Sequence, residues 1–376
     1  MEDLKNYLNE LIWTLVKDND YISEIETNGP GYLFYKERGQ RKIMSVPLLD
    51  TEEKYNIAMN GLIEKAHLKT KPFVVEGRYT LRDGRFGRLH IAMPPSSPYP
   101  AMTIALKSTQ LKTLTAIQSA GSFNTEISVF LKALIGAKLT TVVSGGTGAG
   151  KTTLLEALTG EFNPDDRIGV AEDSPELLLN SLNTVYMNST VKAPGMEEKD
   201  VASLEWVVQQ LNRMRIDSII IGETRGKEFF DFIIAASAGK PGSLTTIHAD
   251  DGQSALRKMT TFMSMATTLP PRTINEMISD AVDIIVQLGT DKKTKGHRII
   301  SIDEVTNSIS SGPSPTIALN PLFVYDQETR KWRKHFATDA LKKKLENAGY
   351  DGNTYKKFKE EEVYEHSSGL PSYFKK

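Results

Sequence analysis

Residues Gly145, Gly146, Thr147, Gly148, Ala149, Gly150, Lys151 and Thr152 run consecutively as G-x-x-x-x-G-K-T. A glycine-rich loop of this kind lets successive backbone N–H groups converge on phosphate oxygens. Lys151 then reaches the β- and γ-phosphates, and the Thr152 hydroxyl is placed to ligate Mg²⁺, with Thr153 beside it. The flanks fit. Leu139-Thr140-Thr141-Val142-Val143 reads as a buried strand, and Thr152 to Leu158 as a helix with Gly160 past its end. Strand, loop and helix N-terminus in that order make an anion site, because orphan N–H groups and the helix dipole both favour negative charge. The loop predicts a bound nucleotide but not the use of its energy.

A chain of 376 residues has room for two or three domains. Its formal net charge of −1 provides no global basic field for nucleic acid or acidic membrane. The absence of cysteine rules out disulfides and thiolate chemistry and agrees with a reducing cytoplasm. No apolar run approaches the ~18 residues of a membrane span, and Met1-Glu2-Asp3-Leu4-Lys5 lacks signal-peptide order. A soluble protein is expected, touching membrane only through partners or an amphipathic surface.

Leu4, Tyr7, Leu8, Leu11, Ile12, Leu15 and Val16 fall at helical spacing and predict an amphipathic helix over 3–17. Its polar face mixes Lys5, Asn9, Glu10 and Lys17, which favours packing on its own domain over docking to a membrane or partner. Short strands in 21–49, a helix over 52–68, and strands at 73–81, 86–92 and 102–106 predict a small α+β domain over 1–107. Asp83-Gly84 marks a hairpin between two of them. A polar linker is expected over 108–125. From 126 to 355, helices alternate with strands at 139–144, 167–171, 183–187, 218–222 and 243–247, which predicts an α/β domain with a parallel sheet. A polar turn at 291–296 joins two further strands. Residues 356–376 read as a loosely ordered tail.

Other residues gather around this loop. Ile219-Ile220-Ile221-Gly222-Glu223 is an apolar strand ending in a carboxylate, and in α/β sheets ligands lie at the carboxyl ends of strands. Glu223 is therefore the candidate water-orienting base. Glu172 and Asp173 end another strand and are candidates for positioning Mg²⁺ and water, or alternatively cap the following turn. His248 ends a third strand and is placed to sense the γ-phosphate. Arg213, Arg215 and Arg225 bracket the Glu223 strand, and Arg78, Arg82, Arg85 and Arg88 cluster on the Asp83-Gly84 hairpin. A guanidinium can offset charge on a transferring phosphoryl group, so Arg225 and Arg88 are read as functional and Arg78 and Arg82 as surface charges.

With these residues in place, the chain resembles the secretion and traffic ATPases of type II and type IV secretion, pilus assembly and conjugation, over most of residues 21–305. The matching segments are the phosphate loop, Arg167 to Leu177, Arg213-Met214-Arg215-Ile216-Asp217 with Ile219 to Gly226, and Gly242 to Ala249. They resemble the family's Walker A, aspartate-box, Walker B and histidine-box segments, in order. Within the family the likeness is greatest to type IV secretion and tight-adherence pilus members. The resemblance implies a RecA-like ATPase domain preceded by a smaller N-terminal domain, with ATP and Mg²⁺ bound between domains and subunits. It also implies a homo-hexameric ring in the cytoplasm, docked on inner-membrane secretion or pilus platform proteins. Arg88 looks like the family's N-terminal phosphate-contacting arginine. Departures are Ala105 after Thr103-Ile104, Ile216 for the usual Pro, Gly239-Lys240 for the usual Gly-His, and no four-cysteine zinc module.

The leading expectation is thus a ring ATPase driving transport or assembly. A RecA-like nucleic-acid motor is an alternative, opposed by near-neutral charge and the lack of an aromatic-plus-basic platform, so no stable nucleic-acid binding is expected. A non-hydrolysing scaffold switched by ATP is another, opposed by the presence of Lys151, Glu172, Glu223 and His248.

Overall fold

The computed structural model describes residues 2–37, 39–66, 73–106, 112–173, 176–179, 181, 183–190, 201–312 and 315–358. Two sheets organise them.

The first is built from α1 (Glu2–Val16), β1 (Ile22–Thr27), β2 (Tyr32–Glu37), β3 (Gln40–Ser45), α2 (Glu52–Lys65), β4 (Val74–Thr80), β5 (Phe86–Ala92) and β6 (Ala101–Leu106). Its six strands are antiparallel in the order β3-β2-β1-β6-β5-β4. One face is apolar: Ile25, Leu33, Val75, Leu89, Ile91 and Ile104 bury against Leu8, Ile12 and Val16 of α1 and Tyr55, Met59 and Leu62 of α2. The period-2 alternation puts Arg88 and His90 on the open face. The amphipathic α1 therefore packs within its own domain, as its mixed polar face predicts. Thr51 caps α2 by accepting from the Lys54 amide, and Glu52 and Glu53 complement its dipole.

The second sheet has nine strands in the order β15-β14-β13-β12-β7-β11-β10-β8-β9. Its elements are α3 (Leu114–Ser119), α4 (Thr125–Gly136), β7 (Thr141–Gly145), α5 (Lys151–Thr159), β8 (Ile168–Glu172), β9 (Thr184–Asn188), α6 (Leu204–Arg213), β10 (Ser218–Ile221), α7 (Glu228–Ser237), β11 (Leu244–Ile247), α8 (Gly252–Ala266), α9 (Pro271–Ala281), β12 (Ile284–Thr290), β13 (His297–Ile309), β14 (Ile317–Asp326), β15 (Lys331–Lys334) and α10 (Asp339–Asn347). Strands β12 to β9 run parallel, and β13, β14 and β15 extend the sheet antiparallel. Both faces are covered, so successive strand residues bury on opposite sides. Val143, Ile220 and Val286 face α4, α5 and α10, whereas Val142, Ile221 and Ile285 face α6 to α9. This is why the strands read as continuous apolar runs.

Three boundaries differ from the expected ones. Of the proposed linker, residues 112–124 carry α3 and send Leu114 and Phe123 into the core of the second sheet. Strands β14 and β15 were not legible in the sequence. Pro321 interrupts β14 where its pairing with β13 shifts register, the kind of position a sheet tolerates proline. Residues 356–358 are tied back, with Tyr350 bridging Lys357 and Tyr355 buried against Phe130 and Phe323. The rest of the expected tail lies outside the described residues.

Candidate functional site

β7 delivers the loop. Gly148 (φ 74°) and Gly150 (φ 92°) take left-handed conformations, and Gly150 is the N-cap of α5. Gly145 is required for a different reason: a Cβ there would stand 2.9 Å from the Leu288 carbonyl of the neighbouring β12. Lys151, at the first turn of α5, is only 7% exposed. Its ammonium donates to the Gly145 and Gly146 carbonyls at 3.1 and 3.0 Å.

The strands on either side bring the remaining groups. His248 directly follows β11, and its Nδ1 lies 3.1 Å from Lys151 Nζ. β10 ends just before Glu223, whose Oε1 lies 2.8 Å from His248 Nε2. The other Glu223 oxygen accepts from Arg225 Nη2. Because an ammonium can only donate, His248 Nδ1 is the acceptor, and the neutral ring's Nε2–H donates to Glu223. Lys151, His248, Glu223 and Arg225 thus form one chain across three loops.

The charges follow from that arrangement. Burial lowers the His248 pKa, and the Lys151 charge lowers it further against the opposing pull of Glu223. Burial also lowers Lys151, with Glu223 opposing. For Glu223, burial pushes upward, but the Arg225 hydrogen bond and the charges of Arg225, His248 and Lys151 outweigh it, so the carboxyl ends below its ordinary value. The result is an ionised acid beside a neutral imidazole.

An open cleft of about 740 Å³ runs past these residues, within the size range of small-ligand sites. Thr147 to Thr153 line it, together with Glu223, Arg225, His248 and Arg88. Ile117 and Ala120 of the α3 region, Phe123, Leu288 and Ile299 also line it, as do Lys112, His297 and Arg298. A narrower recess opens off the cleft between Thr152, Glu172, Asp173, Glu176, Gly222, Glu223, Arg225 and Arg88. Arg88, on β5 of the first domain, reaches Glu176 of the second at 3.6 Å.

The predicted carboxylates have duties of their own here. Glu172 is 4% exposed, and its Oε1 accepts from the Glu176 and Leu177 amides at 3.0 and 2.9 Å, so it also shapes the segment after β8. A Cβ on Gly222 would meet that oxygen at 3.0 Å. Asp173 accepts from Ser189 Oγ at 2.7 Å. Among the described residues, no group of three or more His, Cys, Asp or Glu could hold a metal by itself. Mg²⁺ commonly takes one or two protein oxygens plus phosphates and waters, and Thr152, Glu172 and Asp173 at one recess fit that pattern.

Arg213 and Arg215 are not brought to the cleft. They precede β10, at the amino end of the sheet. The four residues of β10 separate them from Glu223, a rise of roughly 13 Å at ~3.3 Å per residue. Other contributors carried no motif. Buried Glu228 accepts from the Arg225 and Gly226 amides at 2.5 and 2.8 Å and so fixes the loop bearing Arg225. Thr246 Oγ1 donates to the Gly222 carbonyl at 2.8 Å, and Lys258 of α8 donates to the His248 carbonyl. An acid at the start of α7 was a readable capping signal; the other two are long-range partners with no local signature.

Known proteins resemble this chain in sequence and in fold. The chain is 27% identical over 285 residues to the conjugal transfer protein TrbB of Rhizobium radiobacter, covering 75% of this chain and 83% of that protein. It is 24% identical over 299 residues to the protein VirB11 of Agrobacterium fabrum, covering 72% and 85%. Among solved structures, the ATPase DotB of Legionella pneumophila has the same fold over 81% of each chain, with a TM-score of 0.58 at 15% identity. The pilus retraction motor PilT with bound ADP follows over 78% and 81%, with a TM-score of 0.56 at 15% identity. Residues 77–315, from within β4 to just before β14, match the family model described as Type II/IV secretion system protein. That span takes in β5, β6 and every residue that lines the cleft, and the chain belongs to the Type II/IV secretion system protein family.

Proposed function

We propose that the protein is a Mg²⁺-dependent ATPase that works as a homo-hexameric ring, docked through partner proteins on the inner-membrane platform of a type IV secretion, conjugation or related pilus machine. The observation that carries this reading is the chain Lys151–His248–Glu223–Arg225 at the mouth of a cleft walled by the phosphate loop. The names of the relatives, conjugal transfer protein and VirB11, support the choice of machine.

In this reading the triphosphate lies along the loop and the base lies toward Ile117, Phe123 and Ile299. Lys151 exchanges its loop carbonyls for phosphate oxygens. Glu223, ionised and half-buried, orients the attacking water. Arg225 and Arg88 offset charge on the transferring phosphoryl group. Mg²⁺, bound with the nucleotide, would neutralise phosphate charge, with Thr152 and Glu172 or Asp173 as its protein neighbours. Because Arg88 belongs to the first domain, phosphate binding and release couple to domain movement, which a ring converts to work.

The test is phosphate release with and without Mg²⁺, over a range of protein concentrations, for the wild type and Glu223→Gln. Specific activity should rise with concentration, require Mg²⁺ and fall at least about a hundredfold in the variant. Activity that persists in Glu223→Gln would move the base elsewhere. Absence of turnover in the wild type, with the membrane partners present, would favour the scaffold reading.

A further inference from the structure

Three parallel strands, β12, β7 and β11, end side by side under the mouth of the cleft. β7 leads into the phosphate loop, β11 into His248, and Leu288 near the end of β12 lines the cleft. One side chain links the outer two across β7. Gln287 stands beside Ser144 in the register of β12 on β7, and Ser144 beside Ile247 in the register of β7 on β11. Register partners in parallel strands share a face, here the face packed by α7, α8 and α9 through Val142, Ile247 and Ile285. From there the Gln287 amide reaches past β7. Its Nε2 donates to the Ala249 carbonyl at 3.1 Å and to the Leu288 carbonyl at 3.2 Å. Ala249 follows His248 directly, so this bond holds the backbone that aims the imidazole.

Packing alone does not explain a glutamine at this position. Gln287 is 4% exposed and Ser144 is fully buried. Gln287 Oε1 and Ser144 Oγ make no hydrogen bond to any described residue. A buried acceptor left unpaired is unfavourable. A polar pair half satisfied in one conformation, on the seam between the loop strand and its neighbour, suits an element with two arrangements.

We propose that Gln287 is a positioning residue for His248: it sets the imidazole against Lys151 and Glu223, and it transmits movement of the phosphate-loop strand at Ser144 to the His248 loop. This rests on the reading of the cleft as an ATPase site. The test compares wild type, Gln287→Leu, His248→Ala and the double variant by kcat, KM, binding of a fluorescent ATP analogue and melting temperature. Gln287→Leu, which leaves the Ala249 carbonyl without its donor, should melt only slightly below the wild type, bind the analogue within about twofold, and lose about tenfold in kcat. In the His248→Ala background it should cost nothing more. An unchanged kcat, a loss that multiplies fully with that of His248→Ala, or a loss of binding parallel to a lowered melting temperature would overturn the proposal. If the wild type shows no turnover, the ATPase reading fails. Hydrogen exchange then decides the coupling: analogue binding should protect residues 247–251 in the wild type but not in Gln287→Leu, and equal protection in both would refute it.

Discussion

His248 shows how a single residue here is defined by what surrounds it. Its pKa lies below the ordinary 6.5 because burial and the Lys151 charge outweigh Glu223. A depressed histidine is neutral in the working state, and the penalty appears as pH falls: protonation turns Nδ1 from acceptor to donor and opposes Lys151 Nζ. Turnover should therefore hold down to about pH 6.5 and decline below it. In His248→Gln, that acid limb should leave this window of the kcat profile. Glu223 is the influence that raises His248, so Glu223→Gln should drive the imidazole pKa lower still, read by NMR titration. Lys151→Ala should abolish turnover outright, checked in the same phosphate-release assay. The motif residues Lys151, Glu223 and His248 were legible in sequence because each ends or follows a parallel strand. Arg213 and Arg215 were not placed correctly by their closeness to Glu223 in sequence, because a strand intervenes and carries the two ends apart.

Element packing turns on glycines at crossings. α1 and α2 approach so closely that a Cβ on Gly61 would stand 2.0 Å from the Lys5 carbonyl. Since the obstacle is helix backbone, neither side can yield cheaply. Gly61→Ala should destabilise the first domain by at least about 2 kcal/mol in urea unfolding, with the second domain's transition unchanged. Most helices and strands matched their sequence signals because burial on one or both faces leaves a period. β15 did not: Lys331-Trp332-Arg333-Lys334 is a short edge strand whose one large apolar residue is Trp332, tilted against Tyr325 at 4.8 Å and donating to the Ile299 carbonyl. α3 was read as linker because a six-residue helix with one buried residue leaves too little periodicity.

In the whole molecule, the cleft draws on both domains. Arg88 comes from β5 and the loop from β7, and only the tertiary fold puts them at one recess. Arg88→Ala should cut turnover strongly while the melting of each domain stays as in the wild type, measured by phosphate release and calorimetry. The far wall of the second domain closes on Tyr355, 1% exposed, with its ring 4.7 Å from Phe130. Tyr355→Ala should cost about 3 kcal/mol in unfolding free energy and leave first-domain melting untouched. No helix among the described residues is long and apolar enough to cross a membrane.

Local sequence determined the phosphate loop, the order of helices and strands, and the strand ends where Glu223 and His248 stand. Each of these is encoded in a few consecutive residues: glycines with positive φ, apolar runs, a carboxylate after a strand. Tertiary structure alone decided that Lys151, His248, Glu223 and Arg225 join into one hydrogen-bonded chain, that Gln287 reaches the Ala249 carbonyl, and that Arg213 and Arg215 stay outside. Those outcomes depend on which strands become neighbours and in what register, and residues 38 or 97 positions apart carry no mark in the sequence of meeting.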